Sequence, residues 1–167
     1  MTALFYIAAV VAVLATLMVV TRTNLVHALL YLVVSLFAVA VVFYTLGAPF
    51  VAALEVIVYA GAIMMLFLFA VMLLNVSAEA PLRVPLRAWL GPVILAAVLL
   101  AEVVYGLVLT SPPLAGAEVG PAAVSEALYG PYVLGVELAS MLLLAALIGA
   151  RHVAARDGDR EAEGGDA

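Results

Sequence analysis

The chain has 167 residues, of which 69% are apolar and 10% charged, against about 45–50% and about 25% in an ordinary soluble domain. A soluble core of this size cannot absorb that excess, because small domains keep a large surface in water, so the composition specifies a membrane protein. The net charge of −5 is no acidic partner surface, since five of the eleven acids (Asp157, Asp159, Glu161, Glu163, Asp166) crowd the last eleven positions, and the lack of cysteine excludes disulfides, thiolate zinc sites and Cys-ligated iron–sulfur clusters.

A bilayer core about 30 Å thick needs about 20 apolar residues per helix. Five stretches meet that length, at residues 2–20, 27–46, 52–76, 88–110 and 132–150. The expected fold is an all-α integral membrane protein, with a five-helix transmembrane domain over residues 1–151 and an acidic, disordered tail over 152–167. The first stretch has no positive flank and is too long for the core of a cleavable signal, so it reads as a span. Gly47-Ala48-Pro49 reads as the turn between spans two and three, and Ser111–Pro131, rich in Pro and Gly, as a loop. Pro131 then opens span five.

Direction follows from the arginines, the basic residues of this chain. Arg22 lies between spans one and two, Arg83 and Arg87 between three and four, and Arg151, Arg156 and Arg160 after five. With five spans all six fall on one side, which the positive-inside rule assigns to the cytoplasm. The N-terminus is therefore expected outside and the C-terminus inside.

Three carboxylates fall within spans: Glu55 in the third, Glu102 in the fourth and Glu137 in the fifth. A central acid costs about +2.5–3.5 kcal/mol on an insertion scale, and each Leu, Ile or Val returns about −0.3 to −0.6. The twelve such residues from Leu90 to Leu109 together return roughly −4 to −7 kcal/mol, so span four inserts with Glu102 in it. The carboxylate must then face protein or water. By the expected direction all three acids lie in the outer half of the bilayer. They read either as a proton or cation path or as interfacial and interhelical hydrogen-bonding groups.

Span three carries more. Glu55 and Tyr59 are four apart and share a face. Ala60-Gly61-Ala62 is a small-residue patch, which reads as a close approach of a neighbouring helix or as a backbone weak point. Met64, Met65 and Met72 read as adaptable packing rather than a metal site. Asn75 reads as a C-terminal cap, His27 as an interfacial residue, Pro92 as a kink or first-turn residue, and Trp89 and Tyr132 as interfacial anchors. There is no phosphate loop, dinucleotide fingerprint, nucleophile triad or nucleic-acid-binding patch.

The run Ala53-Leu54-Glu55-Val56-Ile57-Val58-Tyr59-Ala60-Gly61-Ala62-Ile63-Met64, continued by Phe67-Leu68-Phe69 and Met72-Leu73-Leu74-Asn75, resembles the signature of the subunit J family of NADH-quinone oxidoreductase, respiratory complex I. Thr23–Leu32 and Gly130–Leu144 agree, so the resemblance covers nearly the whole membrane part. It implies a bacterial inner-membrane subunit with five helices near the junction with the quinone-binding subunits. It implies subunits K, A and H and the lipid bilayer as neighbours, quinone met only indirectly, and no nucleic acid. It implies no cofactor in this chain, with FMN and iron–sulfur clusters in other subunits. It also implies a π-bulge around Tyr59–Met65, whose conversion to regular helix gates proton or water access. Gly61, Ala62, Met64, Met65, Leu66 and Phe69 are the corresponding gate residues, and Glu55, Tyr59, Glu102 and Glu137 the candidate path. Physically, a π-bulge adds one residue to a turn, so removing it rotates the rest of the helix by about 100°. The face of Leu66, Phe69 and Leu73 would turn with it.

Other readings remain open: a structural or assembly subunit, the equivalent subunit of a related hydrogenase or cation/proton antiporter complex, and a free-standing small transporter. The last is disfavoured by the absence of internal repeats.

Overall fold

A computed structural model describes residues 2–73, 86–109 and 119–164. Five of its helices are long and apolar enough to cross a membrane: Thr2–Thr21, Leu25–Thr45, Pro49–Leu73, Trp89–Gly106 and Val133–Ala155. Helices suit these sequences because a bilayer core offers no water to backbone amides and carbonyls, and a helix satisfies them internally. Asn75, read as a cap, and the Arg83 segment lie outside the described residues.

The chain divides into two units, residues 1–120 and 121–167. In the first, spans one and two pack closely. Ala8, Ala15 and Ala38 have no exposed surface, and such small side chains let two backbones approach. Val11, Ala15 and Val34 form one core cluster with Ala38 and Leu99, the last from span four. Thr16 and Ser35 join hydroxyls across spans one and two at 2.8 Å, a bond of the kind worth about 0.6 kcal/mol in a membrane bundle. A second cluster, Leu29 with Met64 and Val71, fixes span three against span two. Met64 thus serves as packing, while Met65 and Met72 are exposed.

Two span boundaries lie earlier than hydropathy places them, and capping explains both. Asn24 accepts the His27 N–H through its side chain at 3.2 Å, so span two begins at Leu25 rather than at residue 27. Gly47 takes φ +82° in the turn after span two, a value that suits glycine. Pro49 then occupies the first turn of span three, where its missing N–H costs nothing.

Span four, part of the helix Leu86–Leu109, turns Pro92, Leu95, Leu99, Glu102 and Gly106 toward its neighbours. This alternating spacing of three and four is that of one helix face. Near its start, Gly91 faces Tyr31, which is 1% exposed. A Cβ at position 91 would overlap the Tyr31 hydroxyl. Arg22 stacks over the same ring at 5.4 Å and donates to its hydroxyl at 3.4 Å. Gly91→Val is therefore expected to destabilise the unit by about 1–3 kcal/mol through overpacking. A thermal melt of the purified enzyme checks this, and Tyr31→Phe, which removes the overlapped oxygen, should recover part of the loss.

In the second unit, the segment read as a loop contains a helix, Pro121–Tyr129. Its proline is at the first position and an Ala- and Glu-containing run follows, so local propensity overrides the loop-like composition around it. The Gly130 N–H closes its last turn on the Glu126 carbonyl at 2.9 Å. Span five starts at Val133, two residues past Pro131, and its helix runs on to Gly164. It therefore enters the acidic segment that composition reads as a disordered tail.

Candidate functional site

Span three is not one uniform helix. An α-helical piece, Pro49–Leu54, passes into a π-helical piece, Glu55–Ile63, and then into a second α-helical piece, Met64–Leu73. The expected bulge at Tyr59–Met65 is thus displaced toward the N-terminus: the π segment begins at Glu55, and Met64 and Met65 belong to the regular helix after it. The Met64 N–H marks the switch, directed at the carbonyls of Tyr59 and Gly61. Nine residues also exceed the single-turn bulge that is the common form.

Gly61 lies inside the π segment. A methyl group there would meet the Val56 carbonyl oxygen at 3.2 Å and no atom of another helix, so among the described residues no neighbour stands against Gly61 itself. The contact is with the carbonyl five residues back, the hydrogen-bond partner of π geometry.

The gate candidates mostly face outward. Met65, Leu66 and Phe69 are 52%, 72% and 53% exposed, and Ala62 is exposed as well. Met64 alone among them is buried, against Leu29 and Val71. Tyr59 is exposed, and Glu55 is half-buried.

Glu102 differs from the other two acids. It is 6% exposed, and neither carboxylate oxygen has a hydrogen-bond partner. The Ala8 backbone of span one lies beside it, but its amide belongs to that helix's own ladder. Glu102 also lines a cavity of about 480 Å³ that spans one to four enclose in part. Val56 and Ile57, early in the π segment, also line it, as do Tyr44 and Thr45 near the turn between spans two and three. Glu55 is adjacent to that wall in sequence without belonging to it. Glu137 lies in the second unit, on an exposed face of span five, where its carbonyl accepts from the Ser140 hydroxyl at 2.7 Å.

A polar group at the start of span two escaped the sequence reading in part. His27 is buried, with its ring edge-on to Trp89 at 5.8 Å and its Nε2 unpartnered. Both residues had read as interfacial, but nothing in their spacing revealed the contact. The Gly91–Tyr31 approach was equally hidden. The inward placement of Glu102 was open to detection, because Pro92, Leu95, Leu99 and Gly106 share its helical face. Among the described residues, no three His, Asp or Glu are grouped so as to hold a metal ion.

Comparison with known proteins agrees with this architecture. Residues 15–153 match the family model of NADH-ubiquinone/plastoquinone oxidoreductase chain 6. The chain is 54% identical over 163 residues to NADH-quinone oxidoreductase subunit J of Pseudomonas aeruginosa, covering 92% of this chain and 96% of the relative. It is 52% identical over 155 residues to subunit J of Escherichia coli K12, covering 89% and 84%. With subunit J of Rhodobacter capsulatus the identity is 41% over 158 residues, covering 87% and 77%. A match over five spans at these identities fixes the family: the chain belongs to the NADH-ubiquinone/plastoquinone oxidoreductase chain 6 family, as a bacterial subunit J of NADH-quinone oxidoreductase.

Proposed function

We propose that this subunit of the membrane arm helps couple quinone reduction to proton translocation, with span three as the bistable element. The observation that carries this reading is the π segment Glu55–Ile63 with Gly61 inside it. Conversion to α-helix withdraws one residue from a turn and rotates the following piece by about 100°. Leu66, Phe69 and Leu73, all exposed, would then present a different face to a neighbouring subunit. A wet route along that face opens or closes without any titration in this chain. Glu55 and Tyr59 mark its polar end, Glu102 a buried acceptor beside the same segment, and Glu137 a further candidate on span five.

The chain itself carries no redox centre in this reading; FMN and iron–sulfur clusters belong to other subunits, and quinone is met only indirectly. Subunits K, A and H are the expected neighbours. Between Val133 and Ala155 every side chain but half-buried Val136 is exposed, which leaves span five a surface for lipid or such partners. The arginine distribution supports an N-terminus outside and a C-terminal acidic segment in the cytoplasm. A structural or assembly role is the competing reading.

Replacing Glu55, Glu102 and Glu137 singly by Gln separates the two. The expected result is a normally assembled enzyme in which at least one variant reduces quinone yet moves fewer protons, measured in inverted membrane vesicles. Intact coupling in all three variants leaves the scaffold reading.

A further inference from the structure

The cavity between spans one to four is an apolar space of defined depth. Leu4, Phe37, Val41 and Val56 are among the side chains that line it, and the small residues Ala53 and Gly106 leave it open. Its polar side chains offer little to a polar guest. The Thr45 hydroxyl is taken by the Val42 carbonyl at 2.8 Å. Both Glu102 oxygens are buried, so that residue meets the cavity through its methylenes. Water, which needs two to four polar partners, finds too few here. The cavity is not sealed either. Phe37 and Ile57, which line it, are 40% and 66% exposed, so it is continuous with the apolar outer surface of the spans.

Dimensions select among apolar occupants. A dry cavity of about 150 Å³ binds a six-carbon ring, so 480 Å³ takes roughly fifteen to twenty carbons. Along span two the lining runs from Phe37 to Thr45, about 12 Å at 1.5 Å per residue. The hydrocarbon of one leaflet is about 15 Å deep. Volume and depth are thus those of one acyl chain in a fluid leaflet. A helix, about 10–12 Å across with its side chains, would use up the same volume in about one turn. A partner span can therefore lie against the mouth but cannot occupy the cavity.

We propose that the cavity is a lipid site that holds one acyl chain of a phospholipid, its glycerol end near Tyr44 and Thr45 and its methyl end toward Phe37. The chain enters from the leaflet on the side of the turn between spans two and three, because span two ends at Thr45. The site is independent of the proton-path reading and stands whether or not span three changes form.

The test uses the intact enzyme in vesicles of phosphatidylethanolamine and phosphatidylglycerol, doped with a phosphatidylcholine that carries a photoactivatable diazirine in one acyl chain. Two such probes are used, one with the diazirine near the ester and one with it near the methyl end. After irradiation, peptide mass spectrometry locates the adducts on this subunit. The near-ester probe should mark Tyr44 and Thr45, and the near-methyl probe Phe37 and Ala40. Ala53→Phe adds a ring at an exposed position of the lining. It should remove the wall adducts and leave adducts outside the cavity unchanged, and Ala53→Leu serves if the phenylalanine variant does not assemble. Excess decylubiquinone should not compete with the probes. A wall free of adducts in the parent enzyme would overturn the proposal, and so would adducts in the reverse order of depth. Wall adducts that survive the filling variant would overturn it too, because the chain would then lie outside the cavity. Competition by decylubiquinone would assign the space to a quinone tail instead.

Discussion

Gly61→Leu is expected to leave quinone reduction measurable while proton translocation falls at least fivefold. Leucine favours the α-helix over glycine by about 0.8 kcal/mol. Glycine is also the residue that most readily tolerates an irregular backbone, so replacing it lowers the freedom of the segment to change its hydrogen-bond register. Together these bias span three toward the α form by about 1–2 kcal/mol, a factor of roughly 5–30 in its conformational equilibrium. An element that must visit both forms is then held in one. Gly61→Ala, with the same Cβ and no further bulk, should show an intermediate loss. The measurement is the ratio of protons moved to NADH oxidised in inverted vesicles. Cysteines at Leu66 and Phe69 should change reactivity together, as a rotation of about 100° requires. Normal coupling in Gly61→Leu removes the gate. Failure to assemble would show instead that a neighbouring subunit packs on this patch.

Glu102→Leu is the second large expected effect, and stability and coupling should move in opposite directions. The carboxyl group is buried with both oxygens unpartnered, and such a group carries an unrecovered desolvation cost of about 1–3 kcal/mol or more. An apolar side chain of similar size removes that cost, so the purified enzyme should melt no lower than the parent and by this argument higher. Proton translocation should nonetheless drop by about tenfold, a loss of about 1.4 kcal/mol at the limiting barrier. A scaffold gives a different pair of results, higher stability with full coupling. The combination matters more than either part, because a destabilising replacement could lower pumping for trivial reasons and this one is not expected to destabilise.

Much of this was legible in the chain because lipid imposes a simple rule. A run of about 20 apolar residues must be a helix, so the five spans could be placed from composition alone. Hydropathy could not place their first turns. Asn24, Gly47 and Pro49 decide those, through one side-chain hydrogen bond, one positive φ and one absent donor. The helix Pro121–Tyr129 was missed for the opposite reason, since flanking proline and glycine mask a short run of helix-forming residues. The resemblance carried a π-bulge in span three. Its position at Glu55–Ile63 was set by where the hydrogen-bond register slips, which residue identity at Tyr59–Met65 does not encode.

The sequence by itself determined an all-helical membrane protein of five spans, the family, and the three intramembrane acids. Those depend on local composition and on long specific strings. It did not distinguish the acids from one another, since each is a single Glu in an apolar helix. Only the packing of spans one to four decided that Glu102 is enclosed, unpartnered and beside a cavity walled by the π segment, while Glu55 is half-buried and Glu137 exposed. Burial is a property of which helix faces meet, and in this chain that follows from small residues such as Ala8, Ala15 and Ala38 drawing helices together far from Glu102 in sequence.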